Sequence, residues 1–216
     1  MIFSKLLASA MLGFASFLLA PSALAAGLAT EEVSGSFVEA GLNPAVLSKA
    51  LKAYEEHQDV VENERYIGII DYTRHSSEPR FFVHDLETGE TEVLLVSHGR
   101  GSDAAHTGRP VRFSNTPGSK MTSVGAYVTA ETYHGKHGLS LRLDGLSETN
   151  SRARERAIVI HGADYVAPGR TIGRSWGCPA VERRLAGDLI EKFKGGAFLY
   201  IHGEEPDELA QVASAS

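Results

Sequence analysis

The sequence predicts a β-dominated domain, mixed β with few helices. Short runs with apolar groups at period two recur from Arg65 to Gly203. Helical periodicity is clear in only two places, and the strands do not alternate with helices as a doubly wound sheet would require. Glycine-rich and serine-rich loops separate the runs, above all Arg100 to Gly118, as in domains whose loops carry a site.

The elements follow in chain order. Residues 1–25, "MIFSKLLASAMLGFASFLLAPSALA", join a positive charge at Lys5, an apolar run from Leu6 to Ala20 and small residues at Ala23 and Ala25. This is the pattern of a secretory signal peptide cleaved after Ala25. The apolar run is shorter than the ~20 residues of a spanning helix, so no membrane span is expected after cleavage. Cleavage removes one of 21 Lys and Arg and none of 27 Asp and Glu, taking the formal net charge from −6 to −7. Nucleic acid is excluded as a partner, because phosphate binding needs clustered positive charge.

Residues 26–62 read as an N-terminal arm and a helix. Ala26 to Gly41 is small and polar, a linker or loosely packed arm. Asn43-Pro44 then supplies an N-cap and first helical residue, with Leu47, Leu51 and Tyr54 at helical spacing and an end between His57 and Glu62. Residues 63–203 form the main domain. Its strands are expected at 65–73, 80–86, 91–99, 125–133, 139–146, 156–162 and 197–203. "ETGE" (Glu87 to Glu90) turns one hairpin, and a helix spans about Val181 to Lys194. Residues 204–216, acidic and then small, read as a disordered tail.

The chemistry centres on the only cysteine, Cys178, in "GRSWGCPAV". An unpaired thiol in an exported chain is a buried inert residue, half of an intermolecular disulfide, or a nucleophile. A nucleophile needs a base, because the thiolate is the attacking species. Five of the nine histidines precede glycine: His98, His134, His137, His161 and His202. His161 is set apart by ending the apolar run "AIVIHG" only 17 positions before Cys178. The Gly162 carbonyl would accept from the far ring nitrogen and fix the tautomer. Gly177 would allow a tight turn whose N–H groups, with that of Cys178, face a developing oxyanion, each worth about 3 kcal/mol. Pro179 would open the following helix and place Cys178 near its N-terminus, lowering the thiol pKa.

These residues resemble a family. "HGADYVAPGRTIGRSWGC", with "VSHGRGSD", "FSNTPGSKMTSVGAYVTAETYHGKHGLSLRLDGL" and "RAIVIHGADYV", is similar to the YkuD-like L,D-transpeptidases, the cysteine enzymes of bacterial cell-wall crosslinking, in their divergent murein L,D-transpeptidase branch, over Tyr66 to Gly203. The resemblance implies a catalytic domain of β-sandwich or β-barrel-like form, in the periplasm, acting on peptidoglycan stem peptides without a cofactor. It implies Cys178 as nucleophile, His161 as base, Gly162 as the orienting carbonyl and Ser175 as a supporting hydroxyl. The chain departs from the family pattern in three places. The loop between His161 and Ser175 has 13 residues, one short of the pattern's range; Trp176 replaces a His; and Ala180 stands where an Arg or Asn is usual.

Substrate contacts are therefore sought elsewhere. Arg170, Arg174 and Arg183 are candidates for pairing with a peptide carboxylate, and Trp176 for an apolar wall or plain core packing. His98, Asn115, Tyr127, Tyr133 and His134 are candidates for lining the groove. Crosslinking and hydrolysis of stems fit the same residues. An NlpC-like cysteine peptidase would need His202 as base, and a non-catalytic wall-binding module would not need Cys178. No His-x-His or His-Glu-x-x-His spacing occurs, so no metal is expected.

Overall fold

Asn43 caps the longest helix as its sequence requires, its side chain accepting from Ala45 N–H at 2.9 Å, an arrangement typically worth ~1 kcal/mol. A computed structural model describes residues 31–204. The expected signal peptide, the first residues of the arm and the tail beyond Glu204 lie outside the described residues. No described helix is long and apolar enough to cross a membrane.

The elements are α1 (Glu31–Glu39), α2 (Pro44–His57), β1 (Asn63–Asp71), β2 (Phe81–Asp85), β3 (Thr91–Leu94), β4 (Gly125–Gly135), β5 (Gly138–Gly145), β6 (Val159–Ala163), β7 (Ala180–Glu182), α3 (Arg183–Phe193) and β8 (Ala197–His202). The eight strands form one sheet in the order β3-β2-β1-β8-β4-β5-β6-β7. Neighbours run antiparallel except β1 with β8 and β6 with β7. The two ends of the sheet meet. Val96, just past β3, bridges Val181 of β7, and Ser97 N–H donates to the Ala180 carbonyl at 2.8 Å. The result is a nearly closed barrel of mostly strands with few helices, the fold class expected.

Both faces of the sheet carry a core. On one, α3 lays Ile190 and Phe193 among Phe81, Tyr127, Leu141 and Leu199. Gly68 of β1 permits this approach, since a Cβ there would meet the Phe193 ring at 2.8 Å. On the other, α1 and α2 cover Ile67, Ile69, Phe82 and Phe198, with Tyr54 edge-on to Phe198 at 5.2 Å between centroids. Burying each such aromatic contributes ~1.5–3 kcal/mol. A strand covered twice loses alternation, which is why the centre of β1 reads as continuous apolar residues.

Four expectations are corrected. The arm is not loose over 31–39: it is helical, with Phe37 fully buried and its ring 5.0 Å from that of His84. Ser and Gly weaken the propensity of "EEVSGSFVE", so tertiary packing holds α1. The run 91–99 leaves the ladder after Leu94, and 156–162 enters it only at Val159. Ala180–Glu182 is a strand and not the start of the helix, because its backbone pairs with β6.

Candidate active site

β6 delivers His161 into the centre of a four-strand row. His161 pairs with Ser140 of β5 and Ala180 of β7, and Ser140 pairs with Tyr133 of β4. The ring is 2% exposed. Its Nδ1–H donates to the Gly162 carbonyl at 3.1 Å; a carbonyl can only accept, so Nε2 keeps its lone pair. Burial pulls the His161 pKa down to about 4. The nearby His137, Arg183 and Lys136 push the same way, against the Gly162 hydrogen bond. Gly162 itself lies flush on α3, where a Cβ would sit 3.0 Å from Ala186 Cβ and Arg183 Cα.

Cys178 stands two residues before Ala180, the cross-strand partner of His161, so the parallel β6–β7 ladder brings the backbones of Cys178 and His161 close together. The thiol is half-buried, with Sγ 3.7 Å from the Ala157 carbonyl. Burial raises its pKa, opposed by the Val159 N–H, Arg156 and Lys136. This overturns the expected low-pKa thiol at a helix N-terminus, because α3 begins only at Arg183, beyond a strand.

The turn before the thiol is fixed by Ser175. Its hydroxyl donates to the Cys178 carbonyl at 2.7 Å and accepts the Gly177 N–H at 3.0 Å. That N–H is therefore committed within the turn and does not face an oxyanion in this conformation. Gly177 has φ +123°, and a Cβ would lie 2.7 Å from the Met121 carbonyl, so only glycine fits without displacement. Arg156 braces the Met121 side, donating to the carbonyls of Met121 at 2.5 Å and Ser114 at 2.8 Å.

The remaining sequence candidates separate sharply. Trp176 is 64% exposed and so not a core residue, with Lys120 and Lys136 ammonium groups 4.8 and 5.6 Å from its ring. Arg174 is held by the carbonyls of Asp103 and Ala104. Arg183 is engaged by both Asp164 oxygens, at 2.5 and 3.0 Å, and Arg170 donates to the Asp164 carbonyl. His98 lines no groove: fully buried, its Nδ1 accepts from Arg80 at 2.8 Å and its Nε2–H faces Asp103 at 3.2 Å. Burial and the Arg80 charge lower its pKa to about 3. Asn115 ties a loop through Glu148, Ser151 and Arg152. Tyr127 is a core residue whose hydroxyl meets Ser123. Tyr133 is half-exposed beneath Arg142, and His134 next to it is exposed on the opposite face of the strand.

His202, the base of the peptidase alternative, lies on β8, four strands from β7 along the sheet, with its Nε2 3.1 Å from Glu204. It does not share the site of Cys178. Sequence reasoning missed His137 and Lys136, which the β4–β5 hairpin folds over His161 and Trp176. The signal was "YHGKHG", whose Gly135 ends β4 and whose Gly138 begins β5. Among the described residues no three His, Cys, Asp or Glu converge as a metal site requires.

The family model described as the L,D-transpeptidase catalytic domain matches residues 38–202. No curated protein matches the sequence. Among solved structures, an L,D-transpeptidase from Mycobacterium smegmatis is 12% identical with a TM-score of 0.41, over 64% of this chain and 59% of that one. One from Mycobacterium tuberculosis is 16% identical, TM-score 0.43, over 64% and 58%. A helical cell shape determining protein from Campylobacter jejuni is 13% identical, TM-score 0.42, over 65% and 48%. The chain spans less than two thirds of the length of each.

Proposed function

The chain belongs to the L,D-transpeptidase catalytic domain family, which acts on peptidoglycan stem peptides, and from that premise we propose that it is a periplasmic cysteine acyltransferase that crosslinks those stems. Cys178 is the nucleophile and His161 the base. The observation that carries this reading is the β6–β7 register, which sets the thiol two residues from the cross-strand partner of a histidine whose Nδ1 is already engaged.

Both groups are neutral near pH 7, since burial holds the imidazole down and the thiol up. The pair therefore does not rest as thiolate and imidazolium. Proton transfer accompanies attack: as Cys178 Sγ bonds to the carbonyl carbon at the L-centre of diaminopimelate in a donor stem, its proton passes to His161 Nε2. The carbon–nitrogen bond to the following D-amino acid breaks, and the leaving amine takes that proton. A thioester remains on Cys178. An amine of a second stem then attacks it, losing a proton to His161, and the regenerated thiol recovers that proton as the crosslink is released. Water in place of the amine gives a trimmed stem by the same steps.

Incubating the purified chain with defined disaccharide-peptide muropeptides and reading products by mass spectrometry tests the proposal. Crosslinked dimers, an acyl adduct on Cys178 and no product from Cys178→Ser are expected. Trimmed stems alone would make the protein a hydrolase, and unchanged muropeptides would overturn the reading.

A further inference from the structure

Beside the turn that precedes Cys178, the loop after Gly99 and the segment before Ser175 form a cavity of about 530 Å³ lined by Arg100, Gly101, Ala104, His106, Ser119, Lys120 and Arg174. Three of its seven lining residues are permanent cations, and none is acidic. In this chain of net charge −6 surface arginines such as Arg65, Arg142, Arg152, Arg154 and Arg183 find a carboxylate. Among the described residues no acidic side chain pairs with Arg100, Lys120 or Arg174. The nearest candidate, Asp103, is turned inward, accepting from Thr107 and Gly108 N–H groups and facing buried His98.

The backbone marks the same place. Three described non-glycine residues have φ in the left-handed region: His106 and Lys120 at +56° and Ala157 at +52°. Two line this cavity, and the third presents its carbonyl to the Cys178 sulfur. Such conformations are costly and persist where surrounding contacts impose them. Here His106 Nε2–H donates to the Ile172 carbonyl at 2.9 Å, and the Gly101 N–H donates to the Lys120 carbonyl at 2.9 Å. The cavity is joined to the thiol-bearing turn through its own backbone. Arg100 N–H donates to the Ser175 carbonyl at 2.8 Å, and Lys120 Nζ lies 4.8 Å from the Trp176 ring.

We propose that this cavity is a carboxylate-binding subsite for the peptide substrate, holding a free carboxylate of the chain whose carbonyl meets Cys178. The inference rests on the function proposed above and names what selects its substrate. Arg174, immobilised by two carbonyls, supplies a fixed charge. Arg100 and Lys120 close on the anion from either side, and exposed Trp176 carries the intervening aliphatic part of the peptide from the cavity to the thiol. Charge-assisted hydrogen bonds of this kind discriminate strongly between an acid and its amide.

The test measures binding and turnover by the full chain of a diaminopimelate-containing tetrapeptide with free carboxylates and of the same peptide with its carboxylates amidated. Wild type should bind the free acid about tenfold more tightly than the amide. The double variant Arg100→Gln/Lys120→Gln should lose that preference while binding the amide as wild type does. Equal binding of acid and amide by wild type, or an undiminished preference in the double variant, overturns the subsite. If turnover proceeds without discrimination, only the subsite falls. If discrimination is seen without turnover on any stem, only the transpeptidase reading falls; binding of neither peptide overturns both.

Discussion

The ring of His137, at the tip of the β4–β5 hairpin, lies stacked on the ring of His161, with centroids 4.2 Å apart and planes within 25°. The tip of a hairpin thereby covers an imidazole that the sheet holds. The cover both buries His161 and adds a second titratable ring beside it, and both effects lower its pKa.

Removing that cover should move the pH dependence of the enzyme. In His137→Ala the His161 pKa rises from about 4 toward its ordinary 6.5, so the acidic limb of the pH–rate profile shifts upward. His137→Phe keeps a stacked ring and should keep most of the wild-type profile. Turnover measured from pH 4 to 8 reads the shift, and identical profiles in all three proteins would make the stack incidental.

Cys178 should alkylate slowly at neutral pH. Its pKa lies above the ordinary value of 9.0 because burial disfavours the thiolate. The iodoacetamide rate on native protein should therefore still be rising past pH 9. A plateau reached below pH 8 would mean that a cation beside the sulfur outweighs burial.

Ser175→Ala removes the acceptor of the Gly177 N–H and the donor to the Cys178 carbonyl. Leaving a buried backbone N–H unpaired costs ~1–3 kcal/mol, so the denaturation midpoint should fall by a corresponding amount. Turnover should fall further than that, because the turn that aims the thiol loosens. Ser175→Thr, which retains the hydroxyl, should recover part of both.

Acid should destabilise the fold through two histidines held neutral. His98 and His161 have pKa values of about 3 and 4 when folded and 6.5 as the ordinary value. The unfolded chain binds more protons between those limits, so stability is complete above pH 6.5 and declines as pH falls toward 4. At pH 5 the two together contribute a loss of roughly 2–4 kcal/mol. Urea midpoints across this range check the sign; a midpoint that rises on acidification would contradict it.

Trp176→Ala should leave stability within ~0.5 kcal/mol, as surface changes usually do, because the ring is exposed and touches only lysine ammonium groups. If the ring instead supports the fold, thermal unfolding will report it directly.

What the sequence made legible follows physical scale. α2 was readable because Asn43-Pro44 and the spacing of Leu47 and Tyr54 are local signals. β1, β2, β4, β5 and β8 were readable because their apolar runs outlast any turn. β7 was not: three residues carry no period, and only the backbone of β6 makes Ala180–Glu182 a strand. α1 was hidden for the same reason, its helix being held by Phe37 in a distant core. The spacing of His161 and Cys178 suggested them as base and nucleophile, but their protonation did not follow from it. Burial decides the charge of both, and it exists only once β6 lies between β5 and β7. His98 was expected to line the groove, and its burial against Arg80 and Asp103 is a tertiary fact that its sequence neighbours do not carry.

The junction of Val96 and Ser97 with Ala180 and Val181 has a further bearing on how this protein fails. A strand edge left open is a template for pairing with another molecule, and in this sheet the two borders are joined where Val96 and Ser97 meet Val181 and Ala180, two residues from Cys178. A lesion there uncovers two sticky borders and displaces the thiol in the same event. Damage at this spot should therefore cost activity and dispersion together.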